Sequence, residues 1–220
     1  MLKTDLHLHS GEDAFHKLGY TAKDLIEYAA KLEFEVLAFT FHRDVFFYKE
    51  LSDYAKKKGI LLISGVERYI EGKEVLLYNV SQSDIEKIKT FDDLRIFKKK
   101  KNILVIAPHP FFKRSNCLGK KLLENIDVFD AIEYSHFYLS FFNLNKMAVK
   151  IAKKHKLTLI GNSDTHYLKQ IEMTYSLIDS KKSIDSIFKA IKKGNVILKT
   201  KPISLKYFFW RIFRIIMKSE

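Results

Sequence analysis

Asp5-Leu6-His7-Leu8-His9-Ser10, near the start of the chain, is the stretch from which both the fold and a candidate site can be read. Together with Leu2, the leucines within it predict a β-strand, in which side chains two positions apart share a face. His7 and His9 would then point the same way, and two imidazoles on one face can bind one metal ion. A His-x-His pair alone is common, so this hypothesis depends on further ligand-type residues elsewhere in the chain.

Residues of metal-ligand type recur downstream, each directly after an apolar, β-branched run that is typical of a buried strand. They are His42, Glu67, His109 and the Asp164-Thr165-His166 triplet. The sequence predicts strands at 36–40, 60–64, 103–107, 128–134, 157–161, 174–178 and 196–198, a hairpin at 68–79, and helices at about 21–32, 45–58, 82–101, 135–155 and 183–193. This alternation predicts a mainly parallel α/β sheet closed into a barrel, with these side chains around its active mouth.

The composition indicates one folded domain, since 220 residues with 47% hydrophobic side chains suffice for a single well-buried core. Lys and Arg number 39 and Asp and Glu 26, which gives a net charge of +13. Such a surface attracts phosphate-bearing partners, although a lysine-rich composition without a partner gives the same charge. Cys117 is the only cysteine, so we expect no intrachain disulfide and a reducing, cytoplasmic location. We expect neither a signal peptide nor a transmembrane span.

A set of ordered motifs resembles the PHP (polymerase and histidinol phosphatase) domain family of metal-dependent phosphoesterases. The motifs are Asp5-Leu6-His7-Leu8-His9-Ser10, Thr40-Phe41-His42, Gly65-Val66-Glu67, Ala107-Pro108-His109-Pro110 and Gly161-Asn162-Ser163-Asp164-Thr165-His166. The resemblance covers nearly the whole chain. It implies a distorted seven-stranded βα (TIM-like) barrel of PHP type over residues 1–202, with two or three divalent ions, zinc, manganese or iron, at the strand ends.

The resemblance also implies a ligand set. His7, His9, Glu67 and Asp164 would hold one ion, Glu67 would bridge to a second ion that also takes His109, and His42 and His166 would serve a third. The acid or histidine expected after the His-x-His pair is interpreted as Asp13, with Glu12 and His16 as alternatives. Glu74 stands in the hairpin where the family often has a histidine, and its carboxylate would favour manganese or iron over zinc. Glu67, Asp164 and His109 are the expected catalytic residues.

The function implied by the resemblance is hydrolysis of a phosphate ester of a small metabolite, nucleotide or oligonucleotide. A metal-activated hydroxide at a di- or trinuclear site would attack phosphorus. Phosphate contacts are predicted for side chains near the ligands in sequence, namely Arg43, Arg68, Lys113 and Arg114. His136, which follows the predicted strand at 128–134 at the same rim, is a candidate for contact with substrate or metal. Two alternatives stay open: a PHP-type exonuclease, and a non-catalytic RNA-binding barrel subunit similar to the barrel protein of archaeal ribonuclease P.

Residues 203–220 read as a basic amphipathic helix, either part of the same domain or an interface element. An apolar stripe at helical spacing comprises Leu205, Phe208, Phe209, Ile212, Phe213 and Ile216. The hypothesis is that this stripe packs on the barrel wall. The alternatives are contact with an anionic membrane surface and self-association.

Overall fold

The computed structural model of the chain describes residues 1–216, without the side chains of Ile212, Arg214, Ile215 and Ile216. The elements in chain order are β1 (Leu2–Leu8), α1 (Ala22–Lys31), β2 (Val36–Phe39), α2 (Lys49–Lys57), β3 (Leu61–Leu62), β4 (Gly65–Ile70), β5 (Lys73–Tyr78), α3 (Gln82–Ile85), α4 (Phe91–Lys100), β6 (Leu104–Ala107), α5 (Lys121–Glu124), β7 (Ala131–Ser135), α6 (Asn145–His155), β8 (Thr158–Asn162), β9 (Thr174–Ile178), α7 (Ile184–Lys192), β10 (Val196–Thr200) and α8 (Leu205–Ile216). Short 3-10 turns lie at Ile126–Val128 and Leu168–Glu172.

The strands of the described residues form two mixed five-stranded sheets, in the orders β10-β9-β1-β2-β3 and β4-β5-β6-β7-β8. Strands β1, β2 and β3 run parallel to one another, as do β6, β7 and β8. In contrast, β9 is antiparallel to β1 and β10, and β5 is antiparallel to β4 and β6. The prediction of a closed seven-stranded TIM-like barrel is therefore wrong, whereas the predicted alternation of strands and helices is present.

The two sheets meet along two lines of contact, here called seams. Among the described residues, each seam contains one isolated backbone bridge. At the first seam His42 pairs with Glu67, and at the second Leu8 pairs with Thr165. The amide of Glu67 donates to the carbonyl of Phe41 at 3.1 Å, and the amide of His9 donates to Thr165 at 3.3 Å. Because a single bridge is not a continuous hydrogen-bond ladder, the two sheets meet at their edges without forming a closed barrel.

Side chains take the place of a backbone ladder where β8 approaches the first sheet. The amide of Leu6 donates to the Asn162 side-chain oxygen at 3.0 Å. The amide of Gly161 donates to the Ser176 hydroxyl at 2.8 Å, and that hydroxyl donates back to the Gly161 carbonyl at 3.0 Å. These bonds satisfy buried backbone groups that a continuous strand pair would otherwise use.

Apolar faces of the helices pack on both sheets, and α1 illustrates the pattern. Thr21 and Asp24 form a capping box at its start, and Leu25, Ile26 and Ala29 are fully buried. Burial of a leucine or isoleucine side chain of this kind contributes about 1.5–3 kcal/mol. The amide of Ala22 donates to the Glu12 carboxylate, which joins the loop of residues 11–20 to the start of the helix.

One helix prediction needs correction. The helix expected from about 135 begins only at Asn145, and residues 136–144 form a loop instead. The lysines at the end of α4 precede β6, so they lie at the opposite end of that strand from His109. Lys98 donates to the Val128 carbonyl and Asp130, and Lys101 donates to Asp84.

Helix α8 lies against the loops that come after β7 and β8. Phe208 stacks on Phe137 with a centroid distance of 5.3 Å. Leu205, Phe209 and Phe213 are 51%, 64% and 61% exposed, so the prediction that the stripe is buried in the wall of the fold is wrong for these three residues. The side chains of Ile212 and Ile216, and residues 217–220 of the predicted helix, lie outside the described residues. Every helix within residues 1–216 is too short or too polar to cross a membrane.

Candidate metal centre

The predicted ligands converge in space because they lie at strand ends on the same side of the sheets. His7 lies in β1 and His9 just after it, His42 follows β2, His109 follows β6, and Asp164 and His166 follow β8, while Glu67 and Glu74 lie on the β4–β5 hairpin. All of these side chains except those of Asp164 and His166 are buried.

Glu67 lies at the centre of the cluster. Its Oε2 atom lies 3.4 Å from Nε2 of His7, 3.6 Å from Nε2 of His9 and 3.2 Å from Nε2 of His42. Its Oε1 atom lies 3.4 Å from Nε2 of His109. One carboxylate therefore faces four imidazoles that come from three strand ends.

Asp164 faces two of these imidazoles, those of His7 and His9, from the end of β8, at the other edge of the sheet that carries Glu67. Its Oδ1 atom lies 3.4 Å from Nε2 of His7, from Nε2 of His9 and from Nδ1 of His166. Asp164 and His109 have φ angles of 49° and 24°, a region that non-glycine residues seldom adopt. Such backbone conformations concentrate at functional sites, where the surrounding structure holds them.

Asp13 orients two of the imidazoles. Its Oδ2 atom accepts from Nδ1 of His9 at 2.9 Å and from Nδ1 of His42 at 3.0 Å, which directs both Nε2 atoms towards Glu67. Of the two alternatives to Asp13, Glu12 accepts from the amide of Ala22 and so lies at the start of α1. His16 joins the cluster, with Nε2 at 3.1 Å from Nε2 of His166.

Glu74 occupies the hairpin position at the edge of the cluster, where it is 2% exposed. Its Oε2 atom lies 3.9 Å from Nδ1 of His109, and Tyr69 donates to its Oε1 at 3.1 Å. The buried thiol of Cys117 lies 3.5 Å from the same Nδ1 atom. The composition offered no reason to place this cysteine at the site.

Glu133 is the main residue that sequence reasoning missed. It is fully buried, its Oε2 atom lies 2.8 Å from Nδ1 of His7, and its Oε1 atom accepts from the amide of His109 at 3.2 Å. Asn162 donates to Oε2 at 3.0 Å. The available signal was an acidic residue inside the apolar run of β7.

Opposite charges stabilise one another inside the cluster. Burial alone would lower the pKa of His7, but the carboxylates of Glu133, Asp164 and Glu67 raise it well above its ordinary value. Burial would raise the pKa of Glu67, but the neighbouring imidazoles, chiefly His7, hold it well below its ordinary value. The pKa of Glu74 is raised by burial and by the charge of Glu67. Burial lowers the pKa of His136 to about 3.

The donor set fits divalent ions. Within the described residues, His9 Nε2, Glu67 Oε1 and Glu74 Oε2 are buried polar atoms without a hydrogen-bond partner, which is costly unless another group binds them. Several overlapping trios of His, Asp, Glu and Cys side chains have ligand atoms within 4.8 Å of one another. Imidazole nitrogen and carboxylate oxygen together suit zinc, manganese and iron.

The predicted phosphate contacts divide into two groups. Lys113, Arg114 and His136 line a cavity of about 360 Å³ together with His109 and Asp164. Arg43 lies instead over the Phe15 ring, 4.7 Å from its centroid, and neither it nor Arg68 is among the described residues that line this cavity.

Comparison with known proteins agrees with this geometry. A family model for the PHP domain matches residues 5–198. The chain belongs to the PHP domain family. No curated protein sequence matches it at a significant level.

Several solved structures resemble this PHP domain. A two-domain protein from Bacteroides vulgatus, described as containing a predicted PHP-like metal-dependent phosphoesterase, matches with a TM-score of 0.68 at 20% identity, over 97% of this chain and 69% of that one. PsfC from Pseudomonas syringae matches with a TM-score of 0.66 at 14% identity, over 99% and 98%. The lesion-specific endonuclease PfuEndoQ from Pyrococcus furiosus matches with a TM-score of 0.59 at 17% identity, over 90% of this chain and 57% of that one. At these identities the likeness establishes a shared fold.

Proposed function

We propose that this PHP domain is a metal-dependent phosphoesterase. The observation that carries the proposal is the position of Glu67 between His7, His9, His42 and His109, at 3.2–3.6 Å from their Nε2 atoms. A buried carboxylate with an unpartnered oxygen among four imidazoles is well suited to bridge two cations. Membership of the PHP family supports the same reading.

The proposed ligand set is the one expected from the sequence. His7, His9, Glu67 and Asp164 would hold one ion, and Glu67, Glu74 and His109 a second. His42 and His166 would serve a third, and Asp13, a predicted ligand that the sequence assigns to no particular ion, adjoins His42. Bound divalent ions at such a site neutralise phosphate oxygens and lower the pKa of water, which are the two requirements of phosphate-ester hydrolysis.

Hydrogen bonds orient the ligating imidazoles, and side chains at the cavity position the substrate. Asp13 and Glu133 accept hydrogen bonds from Nδ1 atoms and so fix the tautomer and direction of the imidazoles. Lys113 and Arg114 are exposed at the cavity and would attract the phosphate group. His136, neutral because its pKa is about 3, can contact phosphate without adding charge.

Replacement of Glu67 by Gln tests the proposal. Glu67→Gln removes the bridging charge, and we expect it to lower the bound metal per chain and to reduce phosphate release about 100-fold or more. Elemental analysis and a phosphoester panel would measure both. Glu71→Gln, the same change at the exposed turn of the same hairpin, is the control and should behave as wild type. Wild-type metal content and turnover in Glu67→Gln would contradict the proposal.

Nucleic acid is a second candidate substrate class. The net charge of +13 and the likeness to the lesion-specific endonuclease favour it. A panel that includes single-stranded and duplex oligonucleotides beside small esters would distinguish the two. A purely RNA-binding role predicts binding without phosphate release from any ester.

A further inference from the structure

The cavity beside the metal centre has a polar floor and an aromatic wall. Its floor includes His109 and Asp164, and its wall includes Phe112, Phe137 and Phe208. Its volume of about 360 Å³ is within the range of small-molecule sites. The cavity therefore has room for a leaving group as well as a phosphate.

The aromatic wall is a continuous chain of rings that starts at a proposed ligand. Phe112 meets His109 edge-on at 6.1 Å, Phe137 lies 6.4 Å from Phe112, and Phe208 stacks on Phe137 at 5.3 Å with an interplanar angle of 22°. Side chains of this type offer flat faces on which another ring can stack. None of the three phenylalanines belongs to the buried core.

Cations surround the other part of the cavity. Lys113 and Arg114 are exposed there, and Arg211 of α8 also lines it. Lys113 and Arg114 both carry a full positive charge at neutral pH, and the Arg114 guanidinium cannot lose its charge in a protein. An anionic phosphate is the group that suits these cations and the proposed ligands together.

From this arrangement we infer that the cavity selects phosphate esters whose leaving group carries a flat aromatic ring, with Phe208 of α8 forming one wall of the ring subsite. The inference rests on the proposed phosphoesterase function and names its substrate class. The phosphate lies at the floor and the ring lies against Phe137 and Phe208. A base-sized ring stacked on an aromatic side chain gains binding free energy that a ring-free ester lacks.

Helix α8 thus contributes to substrate specificity through the face that carries Phe208. Tyr207 donates to the Gln170 side-chain oxygen at 3.2 Å, and the amide of Ile203, just before α8, donates to the Tyr138 carbonyl at 2.9 Å. These bonds hold Phe208 at the cavity. The adjacent Phe209 is 64% exposed and does not line the cavity, so it provides a matched control on the same helix.

The test compares three esters with the metal-supplemented full chain: adenosine 5′-monophosphate, ribose 5-phosphate and dodecyl phosphate. We expect adenosine 5′-monophosphate to have the highest kcat/KM. Phe208→Ala should lower the ratio of kcat/KM for adenosine 5′-monophosphate to that for ribose 5-phosphate about tenfold, mainly through KM, whereas Phe209→Ala should leave the ratio unchanged. Phe208→Leu, which keeps apolar bulk without a ring, should lower it as well.

Measuring binding in the absence of turnover tests the ring selectivity of the cavity independently of the proposed phosphoesterase activity. Calorimetric titration of each ester into the metal-free protein should show the same dependence on Phe208. Trp210 is the only tryptophan and lies on α8, so its fluorescence reports whether the helix keeps its place in each variant. Ring-selective binding without hydrolysis of any ester would support the inference and overturn the phosphoesterase proposal.

Two results would overturn the inference while the phosphoesterase proposal stands. The first is hydrolysis in which ribose 5-phosphate or dodecyl phosphate matches adenosine 5′-monophosphate. The second is a selectivity ratio that Phe208→Ala and Phe208→Leu leave unchanged while Trp210 fluorescence remains that of the wild type.

Discussion

Glu133 acts on the metal centre through other groups, since it accepts from the His7 ring, the His109 amide and the Asn162 side chain. Glu133→Gln keeps the size of the side chain but removes its charge and one acceptor. We expect the affinity for zinc or manganese to fall about 10- to 100-fold, as for other groups that hold ligating imidazoles. Competition with a coloured chelator would measure this affinity. Wild-type affinity in the variant would show that the Glu133 charge is dispensable.

At the residue scale, the site could be predicted where a ligand-type side chain directly follows an apolar strand. His42, Glu67, His109 and Asp164 were found in this way, and the structure brings them together. Glu133 was missed because it lies inside its strand, where sequence periodicity assigns it only to a face. The separation of Arg43 from the cavity could not be foreseen either, since nearness in sequence to His42 does not fix the direction of a side chain.

At the scale of elements, the approach of β8 to the first sheet depends on the absence of a side chain at Gly161. A methyl group there would clash with the Leu198 side chain and lie 2.9 Å from the Tyr175 carbonyl oxygen. We expect Gly161→Ala to destabilise the protein by about 2 kcal/mol, which lowers Tm by about 6 °C. Gly19→Ala is the control, because nothing lies within 4 Å of the added methyl group. Equal melting temperatures for the two variants in calorimetry would contradict the argument.

Sequence periodicity located most strands and the hairpin, but it could not decide whether the sheet closes. Closure depends on the partners of a few backbone groups at the seams. Asn162 and Ser176 supply side-chain partners there, and either residue would fit an ordinary strand pattern equally well. The antiparallel placement of β9 is likewise set by its pairing with β1 and β10, which the sequence of the strand alone does not specify.

At the scale of the whole molecule, the position of a charge matters more than the total of +13. Lys113 and Arg114 lie at the cavity, whereas Lys99 and Lys100 lie on α4 at the other end of β6. We expect the double change Lys113→Ala and Arg114→Ala to lower kcat/KM about fivefold at low salt, with a smaller effect at high salt because of screening. Lys99→Ala with Lys100→Ala removes the same charge and should change kcat/KM little. Equal losses in the two double variants would assign the effect to net charge.

The two seams have a consequence for how this chain holds together. The His42–Glu67 and Leu8–Thr165 bridges lie within or beside the proposed ligand set, so the cations would tie the two sheets to each other where backbone pairing is sparsest. Binding of this kind stabilises only the folded chain, and the gain grows with the logarithm of the free metal concentration. Bound metal would then reversibly stabilise the contact between the two sheets. When metal is scarce, we expect the chain to open and become susceptible to proteolysis at the two seams before either sheet unfolds.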